Sequence, residues 1–317
     1  RILALRLSQK KCRVSLLCHS SAIISRVRLA NTTFGTGWMH RSLIWSLQWI
    51  DVRLLYVFTS LFVMPLCLLL NTNHSRTHAY RYFHHRLGYG RLRAAWNTYI
   101  NHCLFSQIVV DRFAVFAGKH FKVEIEGYNQ FLRLETQEKG FLVFSSHVGC
   151  YEVAGYSLTS KLKRFNALVF GGEKAAVMEG RQEVLEQHNI RMIPVKEDMS
   201  HLFLVNEAIG NNEIVSMPAD RIVGSTKAVT SCFLGAPARF PVGPLSVATM
   251  KGLDVLAVNV VKVASKRYKV VATTLSYDKD APRKEQMQQL SDSYVAELER
   301  IVRRYPSQWF NFYDFWS

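Results

Sequence analysis

The chain has 317 residues, 49% of them hydrophobic, and a formal net charge of +16; it is long enough to bury a large core and too apolar to be disordered. The charge is uneven: residues 1–110 carry fourteen Lys/Arg against the single acid Asp51, whereas residues 111–317 carry twenty-six against twenty-three acids. No nucleic-acid-binding module accompanies the basic third, so nucleic acid is not an expected partner. Its basic residues are interleaved with Trp, Tyr, Leu and Phe beside a long apolar run, a pattern that suits an anionic membrane surface.

In chain order, residues 1–40 form a basic, loosely hydrophobic extension of no assigned role, without the small-residue cleavage site of a signal peptide. Residues 41–72 form the expected membrane-anchoring segment. Leu54 to Leu70 is seventeen residues without a charge, which as a helix reaches about 25 Å against a hydrocarbon core of about 30 Å. Two membrane readings fit: one tilted span, or a membrane-embedded hairpin or interfacial helix that carries Asp51 and Arg53 at headgroup level with Pro65 as a kink; a buried core helix of a soluble protein is the alternative. Trp45, Trp49, Tyr80 and Tyr82 flank the run as interface anchors. The remainder, 73–317, is expected to be one catalytic domain.

From His74 to His120, apolar residues recur at three- and four-residue steps (Tyr80, Phe83, Leu87; Leu92, Trp96, Tyr99, Cys103), which predicts two helices joined near Gly88. The histidines here (His74, His78, His84, His85, His102) have no neighbouring carboxylates, so no metal site is expected and a polar membrane-facing surface is the reading adopted. The six cysteines contain no C-x-x-C pair and read as reduced structural thiols of a cytoplasmic-side protein.

Phe141 to Phe144 is a short apolar run after the breaker Lys139-Gly140, which predicts a central strand buried on both faces. It runs into Ser145-Ser-His147-Val-Gly-Cys-Tyr-Glu152, with a helix expected to begin near Tyr151. His147 and Glu152 thus fall at the carboxyl end of a strand, the place where open α/β sheets carry their chemistry. A histidine whose second nitrogen is held by a carboxylate is the minimal general base. Further along, Phe165–Phe170, Arg191–Val195 and Glu213–Met217 read as strands, and Ala175–His188 and Met199–Ile209 as helices. Asp254–Val263 and Tyr268–Leu275 read as strands paired near the far edge, followed by an amphipathic helix over Arg283–Arg304. The alternation predicts an α/β fold with a mainly parallel central sheet flanked by helices.

Four blocks carry a resemblance: His147-x4-Glu152 after an apolar strand, Met217-Pro-Ala-Asp220-Arg221, Phe233-Leu-Gly-Ala-Pro-Ala-Arg239-Phe-Pro-Val-Gly243-Pro, and Tyr305-Pro-Ser-Gln308-Trp309-Phe. In this order and spacing the chain resembles the late (secondary) acyltransferases of bacterial lipid A biosynthesis, within the lysophospholipid and glycerolipid acyltransferase superfamily. It departs from the family pattern in having Glu152 where some members have Asp, and Asp220-Arg221 in place of Asp-Gln.

The resemblance implies transfer of a fatty-acyl chain from acyl carrier protein to a hydroxyl of a hydroxyacylated glucosamine lipid, without metal or cofactor, at the cytoplasmic side of the bacterial inner membrane. His147 and Glu152 are then the catalytic pair. Asp220, Arg221, Arg239 and Lys227 are the expected substrate-binding residues, the arginines matching a phosphate of the glycolipid or of the donor's arm. O-acylation of another hydroxyacyl membrane lipid, such as an aminolipid, would use the same pair. A non-catalytic membrane-associated binding protein of the same fold is the alternative from another class, and a hydrolase is disfavoured because no nucleophile elbow is present.

Overall fold

A computed structural model describes residues 44–71, 74–150, 158, 160–170, 189–195, 198–222 and 227–316. The expected extension 1–40, Glu152 and the expected helices after Tyr151 and over Ala175–His188 lie outside the described residues.

The centre is a seven-stranded sheet in the order β1-β9-β8-β2-β5-β3-β4. Its strands are β1 (Lys122–Glu126), β2 (Leu142–Gly149), β3 (Phe165–Phe170), β4 (Ile190–Val195), β5 (Ile214–Pro218), β8 (Val255–Ala264) and β9 (Arg267–Leu275). Every pairing is parallel except β8 with β9. β2 sits in the middle, paired with β5 on one side and β8 on the other. The mainly parallel α/β sheet expected from the alternation of elements is therefore the observed one. At the far edge the expected β8–β9 pair is present, but β1 adds parallel to β9 and takes the edge itself.

Both faces of β2 are buried, which is why its sequence is a continuous apolar run and not an alternating one. Leu142 and Phe144 join a core with Val205 and Ala208 of α5 (His201–Gly210), Leu245 and Ala248 of α6 (Val242–Lys251), and Leu290, Tyr294 and Leu298 of α7 (Arg283–Arg304). Phe141 and Val143 join a second core on the opposite face, with Phe105 and Ile108 of α3 (Arg91–Phe116) and Phe131 and Leu134 of α4 (Tyr128–Glu135). The strand that carries His147 is thus fixed from four sides, and its end has little freedom to move.

A two-stranded hairpin, β6 (Ala228–Phe233) and β7 (Ala236–Pro241), packs beside the main sheet against α7. Its tight turn places Leu234 at φ 51° and Gly235 at φ 77°, the left-handed pair that a two-residue hairpin requires. Leu is an unusual first residue there. Its burial and the bond from its amide to Glu299 Oε2 at 2.7 Å hold it in place.

Ahead of the sheet lie the apolar helix α1 (Val52–Leu70) and α2 (Ser75–Arg81), which continues as a π-helical turn over Tyr82–Arg86 before α3 begins at Arg91. The two helices expected between His74 and His120 are present. His102 departs from its expected place on a membrane-facing surface: it is buried, its Nδ1 lies 2.8 Å from Thr98 O one turn earlier, and its ring packs on Phe312. A partner within the same helix allows the imidazole to be buried.

Helix α1 continues through Pro65. The preceding turn, Thr59–Val63, widens to a π-helical one in which the Met64 amide reaches Thr59 O, an accommodation that spares the Leu61 carbonyl the ring's approach. The extra residue also sets which side chains meet the domain. Val52, Tyr56, Thr59 and Met64 are buried on one face of α1.

Candidate active site

The site is built where two parallel strands end side by side. β2 and β8 stay in register as far as Ser145↔Val258 and resume at Gly149↔Val260, so three residues of β2, Ser146 to Val148, face the single residue Asn259. This bulge lifts His147 out of the pleat. It is pinned from below: Ser146 Oγ donates to Asn259 Oδ1 at 2.5 Å, and Val148 N reaches Ser146 Oγ at 3.3 Å.

Gly149 closes the bulge at φ 60°, and a Cβ there would sit 1.8 Å from Val260 O. Close approach is needed because the next amide, Cys150 N, donates to that same oxygen at 2.9 Å. Gly149→Ala is therefore expected to displace the His147 turn and to lower kcat about a hundredfold, the cost of a misplacement near 1 Å. Steady-state kinetics on the folded variant checks this.

The neighbouring strand β5 ends at Pro218, and Ala219 N donates to Ser145 O at 3.0 Å, carrying the parallel pairing one step further. Asp220 follows directly and turns back onto His147. One carboxylate oxygen accepts the His147 backbone amide at 2.8 Å, and the other lies 2.7 Å from ring Nδ1. The carboxylate thus holds both the backbone and the ring of His147. Asp220 is buried, while the His147 side chain keeps 17% of its surface exposed.

Burial disfavours the Asp220 carboxylate, but the His147 ring, the bonds from it and the Arg221 charge outweigh that and hold its pKa below the ordinary value. Burial, with Arg221 adding to it, pushes His147 below its ordinary value, against the pull of Asp220. An ionised Asp220 accepts, so Nδ1 carries the proton and Nε2 is left as the basic nitrogen of a neutral imidazole.

Arg221 is buried beside them. Its Nη2 donates to Phe310 O at 2.5 Å and its guanidinium lies 5.5 Å from the Tyr313 ring centre. Phe310 N in turn donates to His147 O at 3.3 Å, and Val148 forms an antiparallel bridge with Trp309. Trp309 itself packs edge-on against Tyr82, Phe233 and Phe315. The aromatic tail after Tyr305 is therefore core, and it braces the histidine turn through its backbone.

His147, Asp220 and Arg221 come together as the strand-end placement suggested. Arg239 and Lys227 lie on the hairpin instead: Arg239 is exposed in mid-β7 opposite Thr230, and Lys227 is exposed just before β6, its carbonyl accepting Val242 N at 3.3 Å. Two contributors escaped the sequence reading. The Phe310 backbone gives no side-chain signal at all. Asn259 does give one, as a lone amide in the buried run Val255-Leu-Ala-Val-Asn-Val-Val, which calls for a polar partner such as the Ser146 hydroxyl that meets its Oδ1.

Neither nearby nucleophile type is arranged for covalent catalysis. Ser146 Oγ is committed to Asn259, and Cys150 is buried in the core on the α3 and α4 face of the sheet. Among the described residues no cluster of three His, Cys, Asp or Glu side chains could hold a metal ion.

Comparison with solved structures finds the 1-acyl-sn-glycerophosphate acyltransferase PlsC from Thermotoga maritima, with a TM-score of 0.36 and 14% identity over 82% of this chain and 99% of that one. No curated protein matches significantly. The family model for bacterial lipid A biosynthesis acyltransferases matches residues 114–317, more than half of the chain, a stretch that contains the bulge, Asp220, the hairpin and the aromatic tail. The chain accordingly belongs to the bacterial lipid A biosynthesis acyltransferase family and is an acyltransferase.

Proposed function

We propose that the protein transfers a fatty-acyl chain from acyl carrier protein to a hydroxyl of a hydroxyacylated glucosamine lipid, with His147 as general base. The observation that carries this reading is the two-point grip of Asp220 on His147. Nε2 of His147 takes the proton from the acceptor hydroxyl as its oxygen attacks the thioester carbonyl. Collapse of the tetrahedral intermediate forms the new ester and breaks the C–S bond, and the proton passes from the imidazolium to the departing thiolate. Asp220, which the sequence suggested as a substrate contact, serves here as the group that fixes the tautomer and stabilises the imidazolium. Glu152 remains a candidate partner of this pair on the strength of the family motif alone.

Arg221, tied to Phe310 O, is best suited to holding the loop and tuning His147. Arg239 and Lys227, both exposed, are the cations proposed to meet solvent-side phosphates of a glycolipid or of the donor's arm. A cavity of about 260 Å³ between α1, α2 and α3, lined by Leu68, Tyr80, Ala95 and Tyr99 and by the polar Arg76, Thr77 and Thr98, is the proposed site for part of the acyl chain. The proposed lipid acceptor and the apolar α1 support a location at the inner membrane, and the proposed carrier-protein donor a domain on its cytoplasmic side.

Because burial and Arg221 depress the His147 pKa, the base stays neutral to lower pH than an ordinary imidazole. The acid limb of kcat/KM is therefore expected to have its midpoint below 6.5, the ordinary histidine value. A pH–rate profile with purified enzyme tests this; a midpoint above 6.5 would mean that Asp220 dominates and the electrostatic account is wrong. Acceptor identity is tested by offering acyl carrier protein thioester with either a lipid A precursor or a hydroxyacyl aminolipid. Turnover of the second alone would redirect the acceptor and leave the chemistry intact.

A further inference from the structure

α1 is long and apolar enough to cross a bilayer, at 19 residues, yet it is fastened to the domain along its whole length. Just ahead of it, Gln48 O accepts Lys119 Nζ at 3.1 Å and Asp51 pairs with Lys266 of the β8–β9 turn at 2.8 Å. Next, Tyr56 OH donates to the buried Asp111 carboxylate and lies 3.0 Å from both Ser265 O and Lys262 Nζ. Thr59 Oγ1 meets Ser106 Oγ at 3.1 Å, and Tyr99 OH donates to Ser60 O at 2.9 Å. At the far end Arg76 Nη1 donates to Leu68 O at 3.0 Å.

As numbers rise along this segment, from 48 to 60, the partners on and just after α3 fall from 119 to 99. The segment therefore lies antiparallel along α3, with both ends on the domain. Its other face is bare: Trp49, Leu54, Leu61, Phe62 and Leu69 are 60–77% exposed. Leu92 and Trp96 on the first turns of α3 are exposed too, and Arg53, Arg91 and Arg93 stand exposed among these apolar side chains.

We infer that α1 lies in the plane of the membrane, sinking its bare face into one leaflet of an anionic bilayer, and does not cross it. This rests on the proposed action at a membrane. A crossing helix would have to leave α3, breaking the tethers at Tyr56, Thr59 and Ser60, or draw the buried Asp111–Lys262 pair into hydrocarbon, where charges are strongly disfavoured. In-plane insertion to a depth of about 5–10 Å covers the apolar face and keeps every tether, with the arginines at headgroup level. The exposed apolar strip is otherwise too continuous for a surface facing water. The placement also holds the strand ends at a fixed height above the leaflet from which a lipid acceptor is drawn.

The test is impermeant-maleimide labelling of two single-cysteine forms of the full chain in sealed membrane vesicles of known orientation. One retains native Cys232, exposed on the domain; the other carries Gln48→Cys, ahead of α1. Labelling of both from the same face is expected. Labelling from opposite faces would overturn the in-plane placement and leave the membrane reading standing, whereas recovery of the protein wholly in the soluble fraction would overturn both. As a second arm, Phe58→Ser with Phe62→Ser is expected to lower binding to phosphatidylcholine vesicles containing phosphatidylglycerol at least tenfold. Unchanged binding would remove the bare face of α1 as the docking surface.

Discussion

Asp220→Asn is expected to lower kcat about a thousandfold or more while leaving the fold in place. The substitution keeps the size and shape of a buried side chain, so packing is preserved. What changes is the direction of hydrogen bonding. Asp220 accepts from the His147 amide at 2.8 Å and from Nδ1 at 2.7 Å. An asparagine has one acceptor oxygen and one NH2; if the oxygen takes the backbone amide, the NH2 faces Nδ1. The ring must then present a lone pair there and move its proton to Nε2, the nitrogen that has to be basic. The charge that stabilises the imidazolium is lost as well. The same substitution in the Ser-His-Asp triad costs about 10⁴ for this reason. Single-turnover kinetics with a circular-dichroism control would measure it, and a loss under tenfold would mean that Asp220 does not orient the base.

His147→Ala removes the base itself and is expected to lower kcat by about 10³ to 10⁴, the upper range for general-base catalysis. KM should change little, because the ring contributes to proton transfer and not to holding the acyl chain. His147→Gln keeps a polar side chain opposite Asp220 and separates lost chemistry from lost packing; it should be as inactive as the alanine variant. Since the two residues act as a unit, combining His147→Ala with Asp220→Asn should cost no more than the worse single change. Additive losses would instead imply that Asp220 contributes separately, for example by touching the acceptor.

How far the sequence discloses this arrangement depends on where the physical signal lies. β2, β3, β5 and β8 are legible because buried parallel strands are short continuous apolar runs bounded by breakers. β1 is not: Lys122-Val-Glu-Ile-Glu alternates like an edge strand but is too polar to stand out. The β6–β7 hairpin hides behind its Leu234-Gly235 turn and the prolines at 237 and 241, which read as loop. His102 looks like a surface residue until its helical partner Thr98 O is seen.

Within the site, His147 and Asp220 are each recognisable as polar residues at strand ends, yet their pairing is not. The carboxylate near in sequence, Glu152, draws attention first. The one that reaches Nδ1 lies 73 residues away and arrives only because β2 and β5 are neighbours in the sheet. The tethers of α1 are equally hidden, since Asp111 and Lys262 look like ordinary helix and strand charges until folding buries them together at 2.5 Å. Hydropathy reports only that α1 is apolar. Which way it lies is decided by Tyr56, Thr59 and Ser60, polar atoms that a window average discards.

The measurement that bears most directly on the central claim is mass spectrometry of membrane lipids from a gene-deleted strain complemented with the intact protein or with His147→Ala. The intact protein should restore one acyl chain on lipid A, and the His147→Ala form should leave the under-acylated species in place. Restoration by both would contradict His147 as the base, and restoration of acyl mass only on a different lipid would contradict the proposed acceptor.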